Sequence, residues 1–444
     1  MWLRIINIKQ ASPNCCSTPN PALSRYSNVE TCSISCSSSA NTTASAAAAA
    51  ATTTSAAGLT FKKSRLSWNR LILVPEQCSS ATLRREWMQY QGINDWEGLL
   101  DPLDHTLRRE ILRYGKFVEA AYHSFDFDVY SPTYATCRFP KGSLLARSGI
   151  AKSGYRITKY LRATCGVQLP RWTDRMPNWT STSSWIGYVA VCEDKEEIFR
   201  LGRRDVVIAL RGTATCMEWL ENLRAALTNL PDHMGDKGGG SMVEHGFLSL
   251  YVSKTATSPS LQEMVREEVG RIIKSYGGEP LSLTITGHSL GATLATLSAY
   301  DIATTFKNTA PMVTVVSFGG PRVGNENFRT QLEKSGTKIL RIVNSDDVIT
   351  KVPGFVVRND EVAGSGDVQM ANTLSWLHRC VEEMRWVYAD VGQELRLSSR
   401  ESPYHKNGDV VMCHDLKTYL DLVNSFVSSA CPYTCNTSQY PAQA

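Results

Sequence analysis

The stretch Leu281-Ser282-Leu283-Thr284-Ile285-Thr286-Gly287-His288-Ser289-Leu290-Gly291-Ala292-Thr293-Leu294-Ala295 decides how the rest of the chain is read. Its first six residues form the β-branched, apolar run of a buried strand. From Ala292 to Tyr300 the sequence reads as a helix, and between the two lies G-x-S-x-G. A strand, a tight turn with serine at its apex and a helix together make a nucleophile elbow. The flanking glycines fit a strained turn whose strand and helix pack too closely for side chains. Roughly 0.1–0.2 such pentapeptides arise by chance in a chain of this length, so the flanks carry the reading. It requires an acid and a histidine later in the chain, in the order Ser…Asp…His.

Downstream, residues 312–318 read as a buried strand ending at 319–325. Residues 338–343 read as another, ending at Asn344-Ser345-Asp346-Asp347-Val348. A serine hydroxyl is a weak nucleophile until an oriented base takes its proton. Asp346 and Asp347 both stand where the orienting acid belongs; one is the partner, and the other is expected to be exposed or to cap the following turn. Three histidines follow in order. His414 heads a final helix whose packed side carries Leu416, Tyr419, Leu420 and Val423, and it is the best placed. His378 falls in a helix within a long insertion, and His405 in a polar loop. His245 precedes the serine and is expected to pack or hydrogen-bond.

Upstream, residues 185–191 and 205–210 read as strands. The second runs into Arg211-Gly212-Thr213-Ala214-Thr215, a small-residue turn able to aim a backbone N–H into the site, and Glu218, Trp219 and Leu220 continue as a short helical segment. A helix over 260–275 leads to the elbow strand. Strands alternating with helices predict a mostly parallel sheet with its site at the carboxyl ends of the strands. Order is expected to begin near Trp87. Asp101-Pro102 reads as the start of an amphipathic helix on which Leu103, Leu107, Ile111, Tyr114, Val118, Ala121 and Phe125 recur at helical spacing. Its other side, with Arg108, Arg109, Glu110, Arg113 and Lys116, reads as a solvated face. Residues 131–184 read as irregular; Trp172, Trp179 and Trp185 are expected to pack under that loop, with a lipid-facing role as the alternative.

At 444 residues, 42% hydrophobic and 20% charged, the chain accommodates one large α/β domain with extras. Residues 1–85 hold nine Lys/Arg against two acids, so the remainder carries −2 of the net +5 and gives no reason to expect nucleic acid as partner. Residues 31–58 are almost entirely Ser, Thr and Ala. Basic, Ser-rich and acid-poor is the composition of an organelle transit peptide. The apolar run at the start is too short for a secretory signal, and Pro13, Pro19 and Pro21 break a mitochondrial-type helix. Residues 1–80 are therefore expected to direct plastid import, a disordered cytosolic tail being the alternative. The body is placed at 87–425 and a flexible tail at 426–444. No run of 18 apolar residues occurs, so no membrane-spanning helix is expected. The 13 cysteines show no disulfide-framework spacing, and the lone pair Cys431 and Cys435 is no zinc signature.

Several separated motifs share one resemblance. Gly287-His288-Ser289-Leu290-Gly291-Ala292, Phe318-Gly319-Gly320-Pro321-Arg322-Val323-Gly324-Asn325, Arg211-Gly212-Thr213 and His245-Gly246-Phe247 resemble the class 3 lipases. Trp96-Glu97-Gly98-Leu99-Leu100-Asp101-Pro102-Leu103-Asp104, Gly154-Tyr155-Arg156 and Cys413-His414-Asp415-Leu416 resemble the plant class I phospholipase A1 enzymes, the group named for defective anther dehiscence. The resemblance implies an α/β-hydrolase fold and a triad of Ser289, Asp347 and His414. It also implies oxyanion donors in the backbone N–H groups of Thr213 and Leu290, a lid after Thr213 that includes Trp219, and no metal or cofactor. Asp347 falls at the aspartate of the family's Asn-x-x-Asp-x-Val-Pro pattern, although Ile349-Thr350 stands where Val-Pro is expected. The implied activity is sn-1 acyl-ester cleavage of phospholipids or galactolipids in the plastid, with peripheral contact at a lipid interface; oligomeric state is not readable. A triacylglycerol lipase or carboxylesterase would use the same triad. A catalytically dead scaffold would show a broken triad or oxyanion turn, and none is broken here.

Overall fold

The apolar runs around the elbow pair side by side into one sheet. The computed structural model describes residues 76–164, 183–213, 226–234, 240–352, 387–402 and 410–430. Residues 1–75, which hold most of the expected leader, Trp172 and Trp179, the Trp219 segment, His378, His405, Cys431 and Cys435 lie outside them. In chain order the strands are β1 (Tyr155–Thr164), β2 (Ser183–Cys192), β3 (Arg204–Leu210), β4 (Leu227–Asn229), β5 (Met242–Glu244), β6 (Leu281–His288), β7 (Met312–Phe318), β8 (Lys338–Asn344) and β9 (Gln393–Leu397). Among the described residues seven strands form the main sheet in the order β1-β2-β3-β6-β7-β8-β9, while β4 and β5 pair separately. The expected parallel sheet holds from β3 to β9, and β1 and β2 add an antiparallel edge. With the serine turn between a central strand and its helix, this is the α/β-hydrolase architecture.

Alternation along each strand divides the core in two. Val206, Ile208 and Leu210 of β3 join Ile285, Val315, Leu294, Phe247 and Val265 on one face. Val207 and Ala209 join Val316, Ile342, Ile111, Val118, Tyr419 and Leu420 on the other. Helices His245–Val252, Leu261–Tyr276 and Leu290–Phe306 therefore cover the first face, and His105–Ser124 and Leu416–Ser425 cover the second. Burial of both faces lets β3 and β7 read as largely apolar runs, and on β6 the alternating Ser282, Thr284 and Thr286 are buried with their hydroxyls hydrogen-bonded.

Several elements differ from expectation. The helix Glu76–Tyr90 lies ahead of the expected start at Trp87. The next helix is capped by Asp104, whose carboxylate accepts from the N–H groups of Thr106 and Leu107, and not by Asp101, which instead accepts from Ser429. Part of its expected solvated face is internal, although Arg109 is exposed. Glu110 is buried against Arg113 (2.7 Å) and Arg203 (3.3 Å), Asp205 accepts from Arg113, Tyr155 and Ser282, and Arg108 donates to the carbonyls of Val423 and Asn424. Charged residues on an amphipathic helix read as solvent-facing unless their partners, here at the starts of β3 and β6, are known. The segment read as irregular contains the ten-residue β1. Trp185 is buried on β2, as the packing expectation had it. His245 opens its helix exposed rather than packed. The last helix starts at Leu416, so His414 stands in the link just ahead of it.

Candidate active site

Register places the site on one rim. Leu210 pairs with Gly287, His288 with Phe318 and Phe318 with Ile342, so the chain leaves β3, β6, β7 and β8 at the same carboxyl edge. Ser289 sits at the apex after β6 with φ 56° and ψ −126°, in a region costing a non-glycine residue about 1–3 kcal/mol. Hydrogen bonds from Ser289 N–H to the Phe318 carbonyl and from Ala292 N–H to the Ser289 carbonyl fix the apex. A Cβ on Gly291 would lie 2.4 Å from the Leu210 carbonyl oxygen, so the helix docks against β3 only without a side chain there.

Beyond β8, Asp347 is fully buried. Its Oδ1 accepts from Ile349 N–H at 2.9 Å, and its Oδ2 accepts from His414 Nδ1 at 2.6 Å and from Tyr419 Oη at 2.6 Å. Donation from Nδ1–H leaves the lone pair of His414 on Nε2. Burial and the Asp347 charge push the Tyr419 phenol well above its ordinary value, so it remains a donor. Asn344 anchors the neighbouring backbone: its Nδ2 donates to the Cys413 carbonyl at 2.9 Å, one residue before His414.

Asp346 neither faces solvent nor caps the following turn; the capping contact, Ile349 N–H, goes to Asp347. Asp346 accepts from Ser398 and Ser399 hydroxyls, from Arg400 N–H and from the Arg400 guanidinium at 2.9 Å. Burial alone would raise its carboxyl, but the Arg400 N–H and the Ser399 and Ser398 hydroxyls outweigh it and hold the group below the ordinary range. It clamps the strand following β8 to the rim.

The turn after β3 leans on the elbow: a Cβ on Gly212 would lie 3.0 Å from Ser289 Cβ. Arg211 holds this turn, donating to the carbonyls of Trp185 and Gly212 and to Ser184 Oγ. Burial lowers its guanidinium to about 10. Thr213 follows, its Oγ1 buried without a partner among the described residues. Leu290 opens the elbow helix, where the first N–H groups have no intrahelical acceptor. An N–H from each side of Ser289 makes the arrangement able to receive negative charge on an oxygen.

All five residues singled out from sequence, Ser289, Asp347, His414, Thr213 and Leu290, thus lie on segments that meet at this rim. Tyr419, Arg211, Tyr122 and His288 also take part. Tyr419 was marked from spacing only as a packed residue of its helix, and Tyr122 was not among the residues of the helical stripe. His288 was visible as the second letter of G-x-S-x-G, without a partner to give it a role. Among the described residues no group of three His, Cys, Asp or Glu side chains could hold a metal ion.

Residues 207–357 match the family described as lipase (class 3). The chain is 65% identical over 359 residues to phospholipase A(1) DAD1, chloroplastic, of Arabidopsis thaliana, covering 79% of each chain. It is 40% identical to galactolipase DONGLE, chloroplastic, of the same plant, over 77% of this chain and 70% of that one. A lipase structure from Rhizopus microsporus var. chinensis aligns with 57% of this chain and 71% of its own at 19% identity and a TM-score of 0.39.

Proposed function

The chain belongs to the class 3 lipases, within the plant class I phospholipase A1 group, and from that premise we propose that it cleaves the sn-1 acyl ester of membrane glycerolipids with Ser289 as nucleophile, His414 as base and Asp347 as the acid that orients it. It is a carboxylic ester hydrolase of the chloroplast that acts on membrane glycerolipids, phospholipids or galactolipids or both. The observation that carries the site assignment is the buried 2.6 Å pair of His414 Nδ1 and Asp347 Oδ2 on the rim that presents Ser289 at φ 56°.

His414 Nε2 takes the proton from Ser289 as Oγ bonds to the ester carbonyl carbon, and the carbonyl oxygen becomes an oxyanion. The backbone N–H groups of Thr213 and Leu290 receive it, each donor contributing about 3–4 kcal/mol. His414 then gives its proton to the glycerol oxygen, the C–O bond breaks and lysolipid leaves. Water, deprotonated by the same nitrogen, attacks the acyl-enzyme; the tetrahedral intermediate collapses, Ser289 regains its proton and fatty acid departs. Asp347 stays ionised, its negative charge stabilising the transient imidazolium. A substrate held in a bilayer is reached by peripheral contact. Exposed Phe127, Val129 and Tyr130 lie on the loop whose Phe125 and Phe127 rings face Arg211. Residues 1–80 are the import leader, on their composition.

Ser289→Ala tests the assignment. Turnover on vesicle phosphatidylcholine is expected to fall by roughly 10⁵–10⁶-fold with unchanged folding; a residual rate within tenfold of the parent would remove the elbow from the mechanism.

A further inference from the structure

Four segments far apart in the chain are joined by one line of hydrogen bonds that the triad does not use. Gly212 N–H donates to Tyr122 Oη at 2.8 Å. Tyr122 Oη is 2.8 Å from His288 Nδ1, and His288 Nε2 is 2.7 Å from the main-chain carbonyl of His414. The roles along the line are forced. A carbonyl only accepts, so His288 Nε2 carries the ring proton; Nδ1 is then the acceptor, and Tyr122 gives it the hydroxyl proton while its oxygen receives the Gly212 N–H. With a neutral ring the three bonds run in one direction, from Gly212 and Tyr122 toward His288 and from His288 to the His414 carbonyl.

The residues at its ends are telling. Gly212 is one residue from Thr213, the oxyanion turn; His288 is one residue from Ser289; the terminal carbonyl belongs to His414. The rings of His288 and His414 also face each other at 4.8 Å. We propose that Tyr122 and His288 are positioning residues of the ester hydrolysis, fixing the oxyanion turn, the nucleophile and the base in one mutual geometry. The inference rests on the triad reading given above. Strand pairing alone sets the rim only to the slack of three separate loops, whereas a misplacement of about 1 Å at the reacting atoms is enough to cost about 100-fold in rate.

The relay needs a neutral His288, because a proton on Nδ1 would turn donor against donor. Burial, with the neighbouring His414 adding to it, pushes His288 well below the ordinary histidine value, and the ring stays neutral through the range where a serine hydrolase works. Tight packing does not account for the arrangement by itself: a phenylalanine at 122 would fill the same space and leave Gly212 N–H and His288 Nδ1 without their partner.

Tyr122→Phe, in the full chain and with rates normalised to sites titrated by a fluorophosphonate, is the direct experiment. Expected is a loss of about 10- to 100-fold in kcat on a soluble p-nitrophenyl ester with KM within twofold. Affinity for an aliphatic trifluoromethyl ketone, which forms an oxyanion on the serine, should fall by the same factor. A variant equal to wild type per titrated site, or one altered in KM alone, would overturn the proposal. His288→Gln, which keeps one donor and one acceptor, should retain more kcat than the similarly sized His288→Met; equal rates would also count against it. Ser289→Ala run alongside separates the two levels. If it retains activity the triad reading fails, whereas an inactive Ser289→Ala beside a fully active Tyr122→Phe removes the relay alone.

Discussion

Asp347 and Asp346 are neighbours with the same side chain, and the fold gives them opposite work. Asp347 is buried and receives Ile349 N–H, His414 and Tyr419; Asp346 binds the Ser398 to Arg400 backbone and side chains. Asp347→Asn is therefore expected to lower kcat by about 10⁴-fold, since an amide can no longer hold His414 in the required tautomer. Asp346→Asn should leave kcat within about tenfold and lower thermal stability instead. Steady-state kinetics and a melting curve on both variants check this, and a larger kcat loss at Asp346 would move the acid by one residue. Ser289 was legible because the elbow is a local motif with its strand and helix attached. The choice between the two aspartates was not legible from spacing and came only with the family pattern. The roles of Tyr419, Tyr122 and Arg211 were not legible, because they are made by partners 72, 90 and 26 residues away in sequence.

Elements were legible in proportion to how completely they are buried. β3, β7 and β8 are largely apolar and fall within a residue of their expected bounds, and β6 runs two residues past its expected end, whereas β1 is half-exposed at the sheet edge and its mixed residues concealed it. The helix His105–Ser124 shows the complementary failure: its apolar stripe was readable, but Glu110 and Arg113 on the other side are part of a buried ion network. Burial alone would raise the Glu110 carboxyl, but Arg113 and then Arg203 overcome it and hold the group at about 2. A carboxyl depressed in the fold from an ordinary 4.5 contributes stability that is complete above about pH 4.5 and disappears as pH falls toward 2. Glu110→Gln should cost about 2–3 kcal/mol at pH 7, since it removes the carboxylate shared by Arg113 and Arg203 while Asp205 still pairs with Arg113. It should also flatten the acid limb between pH 4.5 and 2. Denaturant melts across that range check both; parallel acid limbs for variant and parent would show that Glu110 is not the titrating group.

At the scale of the whole molecule, charge asymmetry and composition separate a basic N-terminal segment from a mildly acidic body, and the proposed site lies in the body. A reporter fused behind residues 1–80 is expected to enter plastids; a fusion that stays in the cytosol would refute the leader assignment. The hydrolase body was readable because its elbow, acid and histidine follow the chain order that the strand rim imposes. Substrate preference was not, because a triad is indifferent to the acyl carrier and the segment after Thr213 lies outside the described residues. The central claim is therefore tested most directly by positional analysis of the products formed from phosphatidylcholine, monogalactosyldiacylglycerol and triacylglycerol, each carrying different acyl chains at sn-1 and sn-2. The account predicts that the sn-1 chain is released from the phospholipid and the galactolipid, leaving sn-2-acyl lysolipids; release confined to triacylglycerol, or predominantly from sn-2, would contradict it.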